Sequence, residues 1–512
     1  MSDAVGARLL ALPPSVAAER PLGALEDVRD FCDPDGVWIP GPRRLPRAPA
    51  CARRVFDVPV VHPPLGAGTD AVQVHDLGGV SVVTVQRAAA LDAAGQVLAE
   101  AAESADAIVL VCDEIGTAVR PTALEATLQG ARGVAEIVPD GRAELTVLTG
   151  SQSADYDLLW TVDPRNGRAL DVSEPTERDG LPADEDEAVR LRVIGTGSVG
   201  GYGGGGTIAT YALAPGGDGA GRVADPVRDV DVIDADAFGL RAVSGIGPKT
   251  AERLAARDVT SRDDVRELAV EDLAELPGVG PMTASRMRRH AAVLETGDPL
   301  VTTDDSIPAA DRPRGPLCID IETDGLSPTV IWQVGVYDPE TDDYRAFVER
   351  RDPSDPGRIL ESFLDRLLGL RGNRALLTWN GWGFDYRYLS AFVDRYVPHY
   401  ASEWESIPKL DLYLWCVTDG NAILPGRTNR LDDVAAALGY EDAATGLDGA
   451  ATAAAYRRFV RTGVEPDWDR HERYCEDDCR ALWHVYERLL DAERAIDEPE
   501  PTPAGQTGLG EF

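Results

Sequence analysis

Lysine is almost absent from this chain. Of 50 basic residues only Lys249 and Lys409 are lysines; the other 48 are arginines, set against 87 acids. Long apolar runs are missing too. No stretch approaches the ~18–20 continuous apolar residues of a membrane-spanning helix, and residues 1–20 lack the basic-then-apolar pattern of a secretory leader. The cytoplasm is therefore the default location. Cysteines number seven, odd and scattered, which argues against a disulfide framework. Cys475 and Cys479 lie four apart on a predicted helix, but no second pair completes a zinc site, so they read as ordinary reduced thiols. The tract 195–206, GTGSVGGYGGGG, contains no Gly-Lys-Ser/Thr and is not a phosphate loop.

Negative charge is what the sequence has in excess, with a formal net charge of −37. Salt screens the self-repulsion that otherwise opposes compactness. The acidic, lysine-poor composition resembles that of proteins from halophilic archaea, which work in multimolar internal salt. Under that reading global charge says little about partners, and local departures from it say more. The other reading is an acidic protein that repels nucleic acid.

At roughly 100–200 residues per domain, 512 residues suggest two to four domains. Residues 1–190 are expected to form an α/β domain of unrecognised family, with strands at 80–85 and 107–112 and a helix at 88–103. Residues 191–235 read as a Gly/Pro-rich connection. A small all-α segment is expected at 236–297, a polar linker at 298–315, a second α/β domain at 316–494 and a disordered tail at 495–512.

The segment 236–297 repeats itself. Residues 244–254 read SGIGPKTAERL and residues 277–287 read PGVGPMTASRM. Each copy has Gly-apolar-Gly, then Pro, Thr and Ala at matching offsets, and this resembles the helix-hairpin-helix motif in tandem. Gly245, Gly247, Gly278 and Gly280 allow a tight turn and a close backbone approach. The following helices present N-terminal N–H groups, with Lys249 nearby in the first copy and Arg286 in the second. Such an arrangement binds a phosphate without reading sequence. Residues 240–295 carry nine Lys/Arg and nine Asp/Glu, a neutral island in an acidic chain. The alternative is a helical spacer that contacts protein.

Residues 316–322 read PLCIDIE. A strand ending in Asp-x-Glu places Asp320 and Glu322 on one face. Paired carboxylates are costly without a cation and are a natural seat for Mg²⁺ or Mn²⁺. Further strands are predicted at 330–337, 344–348 and 376–379, with a helix at 358–368. Then WNGWGFDYRYL (379–389) turns the chain off a strand, with Asp385 near a helix start. Taken alone, Asp385 is also explained as a helix cap. Trp382, Tyr386 and Tyr388 could stack on bases or belong to the core. Last comes YCEDD (474–478) inside an apolar-periodic helix, 468–490. Tyr474 and Asp478 share one face, and Asp477 points about 100° away. Taken alone, this stretch is also explained as a solvated acidic face.

In this order over about a third of the chain, DIE, NGWGFD and YCEDD resemble the DEDD superfamily of ribonuclease-H-like 3′–5′ exonucleases. The Tyr-x-x-x-Asp form looks like its tyrosine subclass, which includes proofreading domains of family B polymerases and bacterial YprB-type proteins. KLDL (409–412) and RLDDVAAALGY (430–440) fit the family's intermediate strand and Leu-rich helix. The resemblance implies a mixed sheet flanked by helices. It also implies that Asp320, Glu322, Asp385 and Asp478 hold two metal ions while Tyr474 positions the attacking water. No polymerase fits in what remains. The function implied is metal-dependent hydrolysis of DNA or RNA from a 3′ end; the alternatives are a structure-selective endonuclease and a non-catalytic nucleic-acid-binding scaffold.

Overall fold

The computed structural model describes residues 6–41, 45–62, 71–93, 107–116, 128–137, 144–152, 156–173, 188–196, 206–214, 226–351, 355–370 and 374–495. Two compact units divide the chain, Met1–Asp264 and Val265–Phe512, and the division falls between the two glycine hairpins.

Strands β1 (Ala7–Ala11), β2 (Gly36–Trp38), β3 (Val60–Val61), β4 (Val72–Leu77), β5 (Val80–Arg87), β6 (Ala107–Glu114), β7 (Glu144–Thr149), β8 (Asp157–Val162), β9 (Ala169–Ser173), β10 (Val189–Gly195), β11 (Thr207–Leu213) and β12 (Val227–Asp234) form two sheets in the first unit. Their orders are β12-β11-β1-β2-β3 and β4-β5-β6-β7-β10-β8-β9. β5, β6, β7 and β10 run parallel. Interior parallel strands are covered on both faces, and β5 is accordingly buried at every position but Arg87. Side-chain alternation then sorts the core into layers. Leu9, Ala11 and Trp38 meet Val82, Val109 and Leu148 between the sheets. Leu10, Val37 and Ile39 lie under the helices Leu22–Cys32 and Arg47–Val55, while Val83, Leu110 and Val147 lie under residues 88–93 and the helix Ala131–Ile137.

Two expectations change here. The helix expected at 88–103 begins as a 3₁₀ helix, Ala88–Ala93, and residues 94–103 lie outside the described ones. Backbone packs on backbone at this point: a Cβ on Gly130 would fall 1.8 Å from the Ala88 carbonyl oxygen, and one on Gly133 2.3 Å from that of Leu91. The segment 191–235, expected as a connection, contributes most of β10 and all of β11 and β12 to the sheets. β11 pairs antiparallel with β1, Ala7 opposite Leu213. Its TIATYAL alternation is a strand pattern enclosed by glycine tracts, and those tracts, 197–205 and 215–225, lie outside the described residues, as does 496–512.

The first hairpin is fastened to this unit. Asp27 accepts the Gly239 N–H at 2.8 Å and pairs with Arg262 at 2.9 Å. Phe238 packs edge-on against Phe31.

The second unit opens with the helices Val270–Ala274 and Pro281–Thr296, the latter ended by Gly297 in the left-handed region (φ 72°). β13 (Leu300–Val301), β14 (Leu317–Thr323), β15 (Ile331–Asp338), β16 (Asp343–Val348), β17 (Leu376–Thr378), β18 (Lys409–Asp411), β19 (Ala422–Ile423) and β20 (Glu493–Arg494) follow. The main sheet has the order β16-β15-β14-β17-β18, and β13 lies between β19 and β20 in a small second one. Residues 298–315, expected as a linker, thus contribute a paired strand. β14, β15 and β16 form an antiparallel meander, and β17 and β18 continue it in parallel. One face, with Leu317, Ile319 and Ile321, packs on the helices Gly357–Leu370 and Asp385–Tyr396. The other, with Cys318, packs on Leu431–Ala437 and Trp468–Leu490. Asp320 and Glu322 share the period of Cys318 and so face the last helix.

Candidate active site

The four carboxylates come from three elements of the chain. Asp320 lies opposite Gly335 on β15, and Glu322 opposite Gln333. Gly335 is required by packing: a Cβ there would come 2.6 Å from the Cys475 sulfur and 2.8 Å from the Tyr344 hydroxyl. Cys475 therefore reaches the sheet directly behind Asp320, with its Sγ 3.9 Å from the Asp320 carbonyl oxygen. The ligand atoms of Asp320, Glu322 and Cys475 all lie within 4.8 Å of one another.

Asp385 is the first residue of its helix and is buried. β17 pairs with β14 only at Leu317 and Cys318. Beyond that point the strand edge is open, and the Ile321 N–H, between the two strand carboxylates, lowers the Asp385 carboxyl against the larger rise from burial. The turn that delivers it is tightly built. Asn380 sits in the left-handed region (φ 59°), and a Cβ on Gly381 would fall 2.0 Å from the Thr378 hydroxyl. Asp411, buried at the end of β18, accepts the N–H groups of Asn380 (3.0 Å), Trp382 (3.0 Å) and Leu414 (3.1 Å). Sequence reasoning used 409–412 only as a strand landmark and missed this residue. The available signal was a lone acid in an otherwise apolar strand end, whose burial demands hydrogen-bond partners.

Tyr474 and Asp478 share one face of the last helix, one turn apart. Asp477 points elsewhere, as its helical position requires, and accepts from the Tyr440 hydroxyl at 2.8 Å and the Ala443 N–H at 3.0 Å. Of the aromatics, Tyr386 is core, its hydroxyl donating to the Leu410 carbonyl at 2.9 Å. Tyr388 donates to the Leu326 carbonyl at 3.1 Å. Trp382 is exposed and leans on Tyr386.

Electrostatics define the cluster. Burial first, then Cys475, Glu322, Asp478 and Asp385, hold the Asp320 carboxyl well above its ordinary range. Burial followed by Asp478 and Asp385 does the same to Glu322. Burial pushes Asp385 up to about 7, and burial with Asp477 pushes Asp478 up to about 7. Burial and the neighbouring carboxylates drive the Tyr474 hydroxyl far above its usual value, so it stays protonated. The buried Arg374 serves elsewhere, pairing with Asp338 at 2.5 Å. Asp320 Oδ2 is buried without a hydrogen-bond partner. Four like charges with an orphaned oxygen are unfavourable for the protein alone, and they fit a hard divalent cation. Cys475 offers a soft sulfur at the rear of that oxygen set, and its thiol is held protonated by burial. All seven cysteines are free.

The hairpins are built alike. Gly245 and Gly278 have φ of 90° and 86°. Gly247 and Gly280 cap the helices that follow, each with Pro at the first helical position. A Cβ on Gly247, Gly278 or Gly280 would meet nothing within 4 Å, so the bare backbone faces open space. Lys249 and Arg286 are exposed.

Two protein-family models match the chain. Residues 317–490 match the model of the RNase_H superfamily. Residues 239–292 match the SAM-like helix-hairpin-helix tandem. No curated protein matches the chain. The second α/β domain is thus ribonuclease-H-like, and a helix-hairpin-helix domain precedes it. These domains indicate a nuclease that binds nucleic acid. Among the described residues no helix is long and apolar enough to cross a membrane.

Proposed function

We propose that this protein is a metal-dependent 3′–5′ exonuclease of the DEDD type, tyrosine subclass, that holds its nucleic-acid strand partly through the tandem hairpins. The observation that carries the proposal is the buried convergence of Asp320, Glu322, Asp385 and Asp478, with Tyr474 one helical turn before Asp478. The four carboxylates would hold two Mg²⁺ or Mn²⁺ ions. When bound, such ions activate water and stabilise the charge on the leaving 3′ oxygen. Burial and the carboxylates raise the Tyr474 hydroxyl, which supports a donor that orients the nucleophile rather than a base. Asp411 fixes the turn before Asp385 and thereby the carboxylate's approach. Gly247 and Gly280 leave the backbone at the helix starts clear, where N–H groups can meet phosphate oxygens. The acidic composition supports an enzyme working in high salt.

The test is hydrolysis of end-labelled linear and circular DNA and RNA, with Mg²⁺ or Mn²⁺ in molar KCl. Stepwise 3′ shortening that needs metal and vanishes in Asp320→Ala is the expected result. Cleavage of circles would favour an endonuclease. Equal activity in wild type and Asp320→Ala would overturn the site.

A further inference from the structure

The helix Gly449–Thr462 departs from the charge of the chain. Residues 449–464, GAATAAAYRRFVRTGV, carry three arginines and no acid in a protein of net charge −37. One side of the helix is fixed: Tyr456 stacks on Trp332 of β15 at 4.9 Å, and Thr452 is fully buried. At 100° per residue, Arg457, Arg458 and Arg461 fall within an arc of about 100°. Arg457 and Arg461 are exposed, and Val460, 51% exposed, borders the arc. The arc is tied to the candidate active site. Arg457 Nη1 donates to the carbonyl of Asp324 at 2.8 Å, two residues beyond Glu322. The same nitrogen lies 3.3 Å from where a Cβ on Gly325 would stand.

We infer that this arginine arc is a phosphate track, which holds the backbone of the substrate strand as it runs to the four carboxylates. The inference rests on the nuclease reading. Its occupant is a single nucleic-acid strand, because arginine is matched to phosphate oxygens and because the arc starts at the loop that follows Glu322. Arg457 to Arg461 span about 6 Å of the helix, enough for about two successive phosphates. A strand too short to leave the active site gains nothing from it.

The experiment measures binding of full-length protein to fluorescent oligonucleotides of graded length, without divalent metal, across a KCl series. Arg458→Gln/Arg461→Gln leaves the Arg457 contact in place, and Arg461→Lys restores one charge. Each phosphate neutralised on a single strand contributes about 0.7 to the slope of log affinity against log salt. The double variant is therefore expected to lose about 1.4 of that slope and about tenfold in affinity for long strands, with the loss shrinking as strands shorten. Arg461→Lys alone should keep the wild-type slope. An unchanged slope in the double variant, or an equal loss at all lengths, overturns the track while leaving the nuclease reading intact. A change in self-association with unchanged slope overturns it in favour of an acidic protein surface. Wild-type protein that binds no oligonucleotide overturns both. Thermal melting shows whether the double variant folds; if it does not, Arg461→Gln alone, expected to lose about 0.7, decides.

Discussion

On the proposed function, the carboxylate cluster and the glycine hairpins solve the same problem, how to handle phosphate, with opposite physics. The cluster buries four acids whose charges raise one another, and it leaves Asp320 Oδ2 without a partner. The hairpins expose backbone with nothing within 4 Å of the absent side chains of Gly247 and Gly280. One region stores unfavourable energy that a cation can relieve. The other stores almost none and merely keeps a surface clear. Substitutions in the first should therefore change chemistry steeply, and those in the second should change affinity gently.

The largest effect should follow loss of a carboxylate. Asp320→Ala or Asp385→Ala is expected to cut single-turnover hydrolysis by roughly 10³-fold or more, the several kcal/mol that bound metal supplies. Both variants should melt no lower than wild type in chelator, because like charges have been removed. Near-normal turnover would dissolve the contrast between the regions. Tyr474→Phe comes next. A positioning hydroxyl is worth about 10²-fold, with metal and strand affinity kept, since the ring still packs beside Asp478. A change below about twofold would remove Tyr474 from the mechanism.

The hairpins rank third and allow a sharper cut. Gly280→Leu has ordinary backbone angles (φ −91°) and open space, so it should weaken long-strand binding about tenfold with an unchanged melting temperature. Gly278→Leu, at φ 86°, should also lower the melting temperature. Equal behaviour of the two would erase the distinction between blocking an approach and straining a turn.

The smallest effect is on stability. Asp385 and Asp478 rise from 3.8 to about 7. A carboxyl raised in the folded state binds more protons there, so it favours folding at low pH, and that contribution is lost as pH climbs from about 4 to about 7. Metal-free protein should therefore melt several degrees lower at pH 7.5 than at pH 5, on the order of 2–4 °C per kcal/mol. Excess Mg²⁺ should flatten the trend, and a rise with pH in chelator would contradict it.

Much of this was legible beforehand, for reasons visible in particular residues. Period two put Asp320 and Glu322 on one face, and a four-residue step put Tyr474 beside Asp478. The hairpins were legible because glycine has few rivals at φ near 90°. What stayed hidden depended on contacts between distant segments. Gly335 matters because Cys475 occupies the space a Cβ would need. Asp411 matters because three N–H groups from two turns converge on it. The strands β11 and β12 were masked by surrounding glycines that suggested a tether, although β11 pairs with the start of the chain.

The position of the last long helix has a consequence for synthesis. Tyr474 and Asp478 lie on Trp468–Leu490, and β20, just after it, pairs with β13, so Glu493 sits beside Leu300. A chain growing from its N-terminus finishes the hairpins, the meander and the Asp385 turn while the acidic cluster still lacks its fourth member. On the proposed function, a nascent chain would bind nucleic acid before it could cut, and hydrolysis would switch on only after residues 468–494 leave the ribosome, a machine itself made largely of RNA.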